Sequence, residues 1–469
     1  MIIISFLTCL FVFLFIGLYS TRYKKNTAED YLLASRSLSP WVTGLSAVAS
    51  ANSGFVFTGW IGMTYVMGIS SIWFLLGLIS GAAIGLFTSS KHIRVMSEKT
   101  ETYSFGGLIS QWQGREMPIL RHILGWSIFI FLSTYAAAQL TASSKAMYVM
   151  FGWDLNTGAF IGAFVIILYC FSGGFRASVW TDVAQSIVMM IAMLILAYVV
   201  IVEVGGFTAL YHKLEAIDPS LVMLAPDFQY SPWLYIFGWI LGGIGITGQP
   251  HIMTRFMAID DAKNTNKALY WYFAWFCTFF LASWWVGLAA KVLLPEIASF
   301  DSELALPTIA MNLLPQFLVG IILAGLFAAA ISTADSLILA SSAALSRDIL
   351  KQPSPSMLIT KGSTILITIL VLAISLWGNK SVLMLVALAW SALATAITPL
   401  LYLMIRNYKV PEGLAITMVV MGVITAFGWY LLQIDRFIWP SLPGIAVVLI
   451  IFFSYQIANK IQQKSNKSS

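Results

Sequence analysis

The chain has 469 residues, of which 59% are hydrophobic and only 10% charged, and its mean hydropathy is +0.85. Soluble domains carry roughly 25% charged residues, so this composition excludes an ordinary soluble enzyme and makes lipid the main solvent. The net charge of +6 comes from basic residues placed between apolar runs, the pattern of membrane topology and not of nucleic-acid binding.

Each membrane-spanning helix needs about 20 apolar residues. In chain order that ruler predicts an all-α polytopic membrane protein of about 13 transmembrane helices. They lie at roughly 2–20, 41–66, 69–89, 122–144, 156–173, 181–203, 232–252, 268–294, 316–346, 362–379, 381–405, 411–433 and 438–457. The first run follows no basic leader and reads as a retained span. Alternate loops divide the basic residues unevenly. Arg22, Lys24, Lys25, Arg36, Lys91, Arg94, Lys99, Arg115, Arg121, Arg176, Arg255, Lys263, Lys267, Arg347, Lys351, Lys361, Arg406, Lys409 and the tail lysines fall on one side. Lys145, Lys213, Lys291, Lys380 and Arg436 fall on the other. The positive-inside rule then predicts an outside N-terminus and a cytoplasmic C-terminus ending in Lys460, Lys464 and Lys467.

Cys9, Cys170 and Cys277 sit apart in apolar runs and read as small buried hydrophobes. His92, His122, His212 and His251 are expected at span ends or in loops and form no metal pair.

The second and seventh spans are not plain helices. The second contains Ser46-Ala47-Val48-Ala49-Ser50-Ala51-Asn52-Ser53-Gly54, and the seventh contains Gly242-Gly243-Ile244-Gly245-Ile246-Thr247-Gly248-Gln249-Pro250. Small helix-weakening residues beside free hydroxyls and amides predict broken helices, tolerated in lipid only where they line a cavity or are buried in protein. Two breaks five spans apart fit inverted five-helix repeats with a site between their first helices. Tight small-residue packing is the alternative reading of each stretch.

Span nine carries Ala329-Ala330-Ile331-Ser332-Thr333-Ala334-Asp335-Ser336. Residues three and four apart share a helical face, so Ala329, Ser332, Thr333 and Ser336 point together. Their hydroxyls and carbonyls, with carbonyls freed near Ala49 and Asn52, suit one sodium ion; local back-bonding to the preceding turn is the plainer alternative. Asp335 and Asp182 are carboxylates within spans, and such residues are functional candidates by default. A second cation site of Asp182, Ser332, Asp335 and Ser336 follows, although Asp182 can also serve the dipole of its own helix. If spans two, four and seven enclose a solute, Ser53, Gly54, Tyr135, Gln139, Thr247 and Gln249 are its candidate lining. An interfacial or packing role is the alternative for Tyr135.

Taken in order, these motifs resemble the sodium:solute symporter family, and most of all its bacterial proline permease branch. The resemblance rests on Glu29-Asp30-Tyr31-Leu32-Leu33 with Arg36-Ser37-Leu38, and on Gly173-Gly174-Phe175 leading to Trp180-Thr181-Asp182. Gly248-Gln249-Pro250-His251, Arg255-Phe256-Met257-Ala258 and Ser332-Thr333-Ala334-Asp335-Ser336 complete it. It implies a five-plus-five inverted-repeat, LeuT-like core with an extra N-terminal helix, in one transmembrane domain over 1–469. Residues 1–40 would be the first span and loop, 41–203 repeat one, 232–405 repeat two, and 406–469 the last two spans and tail. It implies sodium as the co-transported ion on Ala49, Asn52, Ala329, Ser332 and Thr333, a second sodium at Asp182, and a coupling role for Arg36. A bacterial plasma membrane and a small proline-like, zwitterionic or neutral solute are expected. Proton coupling through Asp182 and Asp335 is the alternative. Two departures stand out: Ala51 replaces an aspartate of that branch, and Gly242 and Ile246 stand where its pocket has a tryptophan and a tyrosine.

Overall fold

The computed structural model describes residues 1–225, 232–294, 301–350, 356–378, 381–434 and 438–468. Of the basic residues assigned to loops above, Lys351, Lys380 and Arg436 and the side chains of Lys464 and Lys467 lie outside this description. The described residues are helical almost throughout, and ten helices are long and apolar enough to cross a membrane.

In chain order the principal elements are α1 (Ile2–Ser20), α2 (Pro40–Ala51), α3 (Ile61–Met67), α4 (Ile72–Lys99), α5 (Pro118–Phe151) and α6 (Leu155–Glu203). They continue with α7 (Phe207–Ile217), α8 (Pro232–Ile244), α9 (Pro250–Met257), α10 (Thr265–Leu293) and α11 (Gln316–Ala343). The last four are α12 (Met357–Trp377), α13 (Val382–Ile405), α14 (Glu412–Leu431) and α15 (Ser441–Ser468).

Both expected interruptions are present. α2 stops at Asn52, whose φ of −91° and ψ of 78° leave the helical region, and the chain resumes through a π-helical turn at Val56–Trp60 into α3. The second break runs through a 3₁₀ turn at Gly245–Gly248 and an extended Gln249 before Pro250 restarts the helix as α9. Proline suits that position because the first turn needs no backbone donor there.

α11 is the central helix. In its most apolar stretch 83% of residues are buried, against 22% for α1, and it packs on α1, α2, α5, α6 and α9. Its run of Ala, Ser and Gly lets neighbouring backbones approach closely, as expected where lipid offers no hydrophobic drive for helix association.

Several expectations need correction. The helices outrun the predicted spans: α4 extends to Lys99 and α5 covers Pro118–Phe151, because polar ends continue the backbone ladder beyond the apolar stretch. The turn expected between spans five and six is helical, and α6 changes direction only at Gly174 (φ +57°, ψ −142°). Arg255 is not a loop residue. It lies on α9 and is fully buried, as is His251, while Arg94 and Arg347 are also buried. An eight-residue half-helix that starts mid-protein places polar residues at depths that a continuous apolar span would not.

At the end of the bundle carrying these arginines, the chain entering α2 pairs with the chain leaving α9. Leu38 N donates to Ala258 O (3.1 Å) and Asp260 N donates to Leu38 O (2.9 Å). Arg94 donates from Nε to Ile259 O at 2.7 Å. The segment before Leu38 is held in three successive left-handed residues, Ala34, Ser35 and Arg36. Arg36 pairs with Glu29 (2.6 Å) and donates to Ser97 O (3.1 Å) and Thr102 O (3.0 Å).

Gly174 yields one prediction. A Cβ there would stand 2.7 Å from Tyr31 O in a backbone conformation that L-residues rarely adopt. Gly174→Ala should therefore cost about 1–3 kcal/mol, seen as a lower unfolding temperature of the detergent-purified protein.

Candidate ion and solute site

The site begins with the break in α2. Ending a helix at Asn52 strips its last carbonyls of intrahelical donors. Hydroxyls from α11 approach them. Ser332 Oγ is 3.2 Å from both Ala49 O and Ala329 O. Thr333 Oγ1 is 3.4 Å from Ala49 O and 3.2 Å from Ser50 O. Each hydroxyl has one hydrogen and can serve one carbonyl at a time, leaving oxygen lone pairs gathered in a fully buried space. Asn52 is also fully buried, and neither its Nδ2 nor its Oδ1 has a hydrogen-bond partner. Buried amides are normally satisfied, so this pairing deficit is itself a mark of a ligand position. The donor set is all neutral oxygen, the chemistry of a hard monovalent cation. Ala49, Ala329, Ser332 and Thr333 are thus neighbours around one place, and Asn52 ends α2 three residues after Ala49.

One turn further toward the arginine-bearing end lies a second buried cluster with a different occupant. Asp182 and Asp335 are both fully buried. Asp182 Oδ2 accepts from Ser46 Oγ (2.6 Å) and from Arg255 Nη2 (3.2 Å). The same guanidinium donates to Ser178 Oγ (3.2 Å), to Ser336 Oγ and, through Nη1, to His251 O (2.6 Å), and lies 4.9 Å from the Phe175 ring centroid. Asp335 accepts from Tyr169 Oη (2.5 Å), Ser178 Oγ (2.9 Å) and Ser336 Oγ (2.9 Å). Asp182, Asp335 and Ser336 therefore come together with the Arg255 guanidinium among them, and the Ser332 hydroxyl faces the first cluster. Sequence reasoning placed Arg255 in a loop and missed it. Its spacing of four from His251 on one helical face was the available signal. Asp182 Oδ1 remains without a partner.

A central cavity of about 60 Å³ lies between the two breaks. Tyr135 lines it, as expected. Ser53, Gly54, Gln139, Thr247 and Gln249 are not among its lining residues. Gln139 Oε1 accepts from Gly54 N (2.8 Å), and Ser53 Oγ accepts from Phe55 N (3.1 Å). Thr247 turns toward Thr398 (3.3 Å), and Gln249 Nε2 donates to Trp390 O (3.0 Å). The lining is instead aromatic and aliphatic: Phe55, Phe74, Trp239, Ile246, Tyr272, Phe276, Phe280, Trp390 and Trp439 are among its residues. Among the described residues no charged side chain lines it. Above it, a vestibule of about 860 Å³ opens toward the end of the bundle opposite Arg36 and Arg94. Its rim holds Lys145, which pairs with Asp301 (2.8 Å) and Glu303 (2.6 Å). Glu303 in turn accepts from the first backbone N–H groups of α13, at Val382 and Leu383, a helix N-terminus that favours negative charge.

An all-helical membrane bundle with two helices broken at its centre, a buried oxygen cluster and an adjoining cavity open to one end has the parts of a secondary transporter. Comparison with known proteins makes this specific. Residues 31–422 match the model of the sodium:solute symporter family, and the chain belongs to that family. It is 27% identical to sodium/proline symporters of Staphylococcus aureus, among them that of strain NCTC 8325, over 97% of this chain and 91% of the relative. Its fold is similar to the substrate-bound, outward-open structure of a Na⁺-coupled sialic acid symporter, with a TM-score of 0.81, 20% identity and 96% of each chain covered. It is less similar to Mhp1, a nucleobase-cation-symport-1 family transporter solved in a closed conformation with bromovinylhydantoin bound. There the TM-score is 0.54 and the identity 14%, over 90% of this chain and 93% of that one. The fold is accordingly LeuT-like, and the protein is an integral membrane transporter and not an enzyme. These relatives do not favour the proton-coupled alternative.

The buried ion cluster yields a second prediction. Removing one partner of a buried charge pair strands the other, at a cost of about 3–5 kcal/mol. Arg255→Leu should lower the unfolding temperature far more than the paired change Arg255→Gln with Asp182→Asn, measured by tryptophan fluorescence in detergent.

Proposed function

We propose that this chain takes up a small zwitterionic or neutral organic solute, an amino acid of proline's kind, together with sodium across a bacterial plasma membrane. The observation that carries the reading is the convergence of Ser332 and Thr333 hydroxyls on the carbonyls of Ala49 and Ser50 at the break in α2. Sodium held by Ala49, Asn52, Ala329, Ser332 and Thr333 would fix the broken helix against α11. Since α2 also leads into the cavity wall at Ala51, Phe55 and Val56, ordering it raises solute affinity, and the solute raises sodium affinity by the same factor.

The relatives' names support the sodium and the solute class, since they are a sodium/proline symporter and a Na⁺-coupled sialic acid symporter. The absence of charge in the lining supports a solute of no net charge. Transport proceeds by alternating access between inverted repeats at 41–203 and 232–405, in a topology of thirteen crossings. Ten long helices support that count when α6 is counted twice for its bend at Gly174, α2 with the helices after it as two crossings, and α8 with α9 as one. With the N-terminus outside, the vestibule faces the exterior, and the Leu38–Ile259 pairing and Arg36 close the cytoplasmic side. Opening inward must break that pairing, which gives Arg36 its coupling role.

In this reading the Arg255 guanidinium supplies the cation of the Asp182–Asp335 cluster, so one sodium moves with each solute. Each cycle then carries one net charge, and the membrane potential contributes about 2.3 kcal/mol per 100 mV.

Two measurements follow. A thermal-shift screen of purified protein against amino acids, sugars and small carboxylates should show stabilisation by L-proline or a related zwitterion only when sodium is present. A shift that is equal in choline would contradict sodium coupling. In proteoliposomes, Ser332→Ala and Thr333→Ala should each raise the sodium concentration for half-maximal uptake about tenfold or more, the equivalent of losing one oxygen ligand worth about 1.4 kcal/mol. The wild-type sodium dependence should fit a Hill coefficient near unity, and a value near two would return the second cluster to the list of sodium sites.

A further inference from the structure

The helix α8 has a smooth stripe where it faces the cavity mouth, formed by Gly238 and Gly242 one turn apart. That stripe is filled from elsewhere in the chain. A Cβ at Gly242 would meet Cδ1 and Nε1 of Trp439 at 3.0 Å each, and nothing else nearer than 3.8 Å. At Gly238 a Cβ would lie 3.2 Å from Trp439 Cβ. The Trp439 indole is thus laid along the glycines, and it stacks on Trp239 with ring centroids 4.1 Å apart at 31°. Trp439 belongs to the short segment between α14 and α15. Trp429 Nε1 donates to Ile438 O (2.9 Å) on one side of it, and Leu442 N donates to Trp439 O (3.0 Å) on the other. Hydrogen bonds thus tie the backbone at Ile438 and Trp439, and the ring packs with one face against Trp239.

Its position is at a boundary. Trp439 lines both the central cavity and the vestibule, as do Trp239, Phe55 and Leu383. A solute passing from one to the other passes this ring. The indole N–H of Trp439 is buried and has no acceptor among the described residues. Indole nitrogen can only donate, and a buried donor normally finds a partner.

We infer that Trp439 is a specificity-determining residue of the solute site, a lid whose indole N–H donates to an acceptor oxygen on the solute while its ring closes the cavity. The inference rests on the solute lying in the central cavity. It adds a requirement on the solute, an oxygen acceptor such as a carboxylate at its vestibule-facing end, with the remainder of the molecule against aromatic faces. Aromatic rings also attract ammonium groups, which suits a zwitterion.

Full-length protein in proteoliposomes tests this, with L-proline as the probe. Trp439→Phe keeps a ring and removes the donor. It should raise the KM for L-proline about tenfold, the worth of one hydrogen bond, with the half-saturating sodium concentration and kcat little changed. Trp439→Ala removes both and should raise the KM further. A Trp439→Phe variant with an unaltered KM overturns the inference, since a ring that only packs would tolerate the change. A solute-free arm separates this from the choice of solute. Gly242→Ala should lower the unfolding temperature by clashing with the indole, and Gly242→Ala with Trp439→Ala should recover it. If the wild type takes up no L-proline, the solute assignment fails, and the lid is then judged on this exchange; an innocuous Gly242→Ala overturns it.

Discussion

The site is built on one contact, that of the carbonyl oxygens freed by ending α2 at Asn52 with the hydroxyls of Ser332 and Thr333 on α11. A continuous helix would have used Ala49 and Ser50 carbonyls internally, and α11 would have met only its methyl surface. The break costs backbone hydrogen bonds in a place without water, and such a cost persists only where partners are supplied. The hydroxyls supply them in part. Beside the break, the Asn52 side-chain amide is without a partner among the described residues. In the proposed function a cation there would satisfy oxygens that neither helix can satisfy alone, and would fasten the broken α2 to α11, the most buried of the long helices.

The second buried cluster works by the opposite means. Its carboxylates are met by Arg255, a charge that cannot leave, and by hydroxyls from Tyr169, Ser178 and Ser336. It joins α2, α6, α9 and α11. Exchangeable cation chemistry at one level and fixed ionic chemistry one turn away divide the labour. In the proposed function the first would hold sodium, while the second ties the two broken helices to the scaffold through Ser46, Arg255 and Ser178. Both clusters lie on the α11 sequence Ser332-Thr333-Ala334-Asp335-Ser336, whose faces are separated by the helical rotation between adjacent residues.

Much of this architecture was legible in the residues. Apolar runs of spanning length located nearly every long helix, and clusters of Gly, Ser and Asn located both breaks, because each signal is local and physical. The oxygen cluster was legible for the same reason, since the spacing in α11 places Ser332 and Thr333 side by side and the break says where carbonyls come free. What was not legible is what depends on distant segments meeting. Arg255 sits on a half-helix too short to read as a span, so its neighbours resembled a loop. The aromatic lining comes from α4, α8, α10, α13 and the segment before α15, and in sequence each ring looks like ordinary lipid-facing or packing aromatic. Thr247 and Gln249 bond Thr398 and Trp390 and do not line the cavity, since a 3₁₀ turn followed by an extended residue does not keep the α-helical face.

The most direct measurement is equilibrium binding of radioactive sodium to the purified, solute-free protein, comparing the wild type with the double variant Ser332→Ala, Thr333→Ala. The account predicts saturable binding of one ion per chain in the wild type and none in the double variant at the same concentrations. Undiminished binding in the double variant would contradict it, and would place the ion away from the junction of α2 and α11.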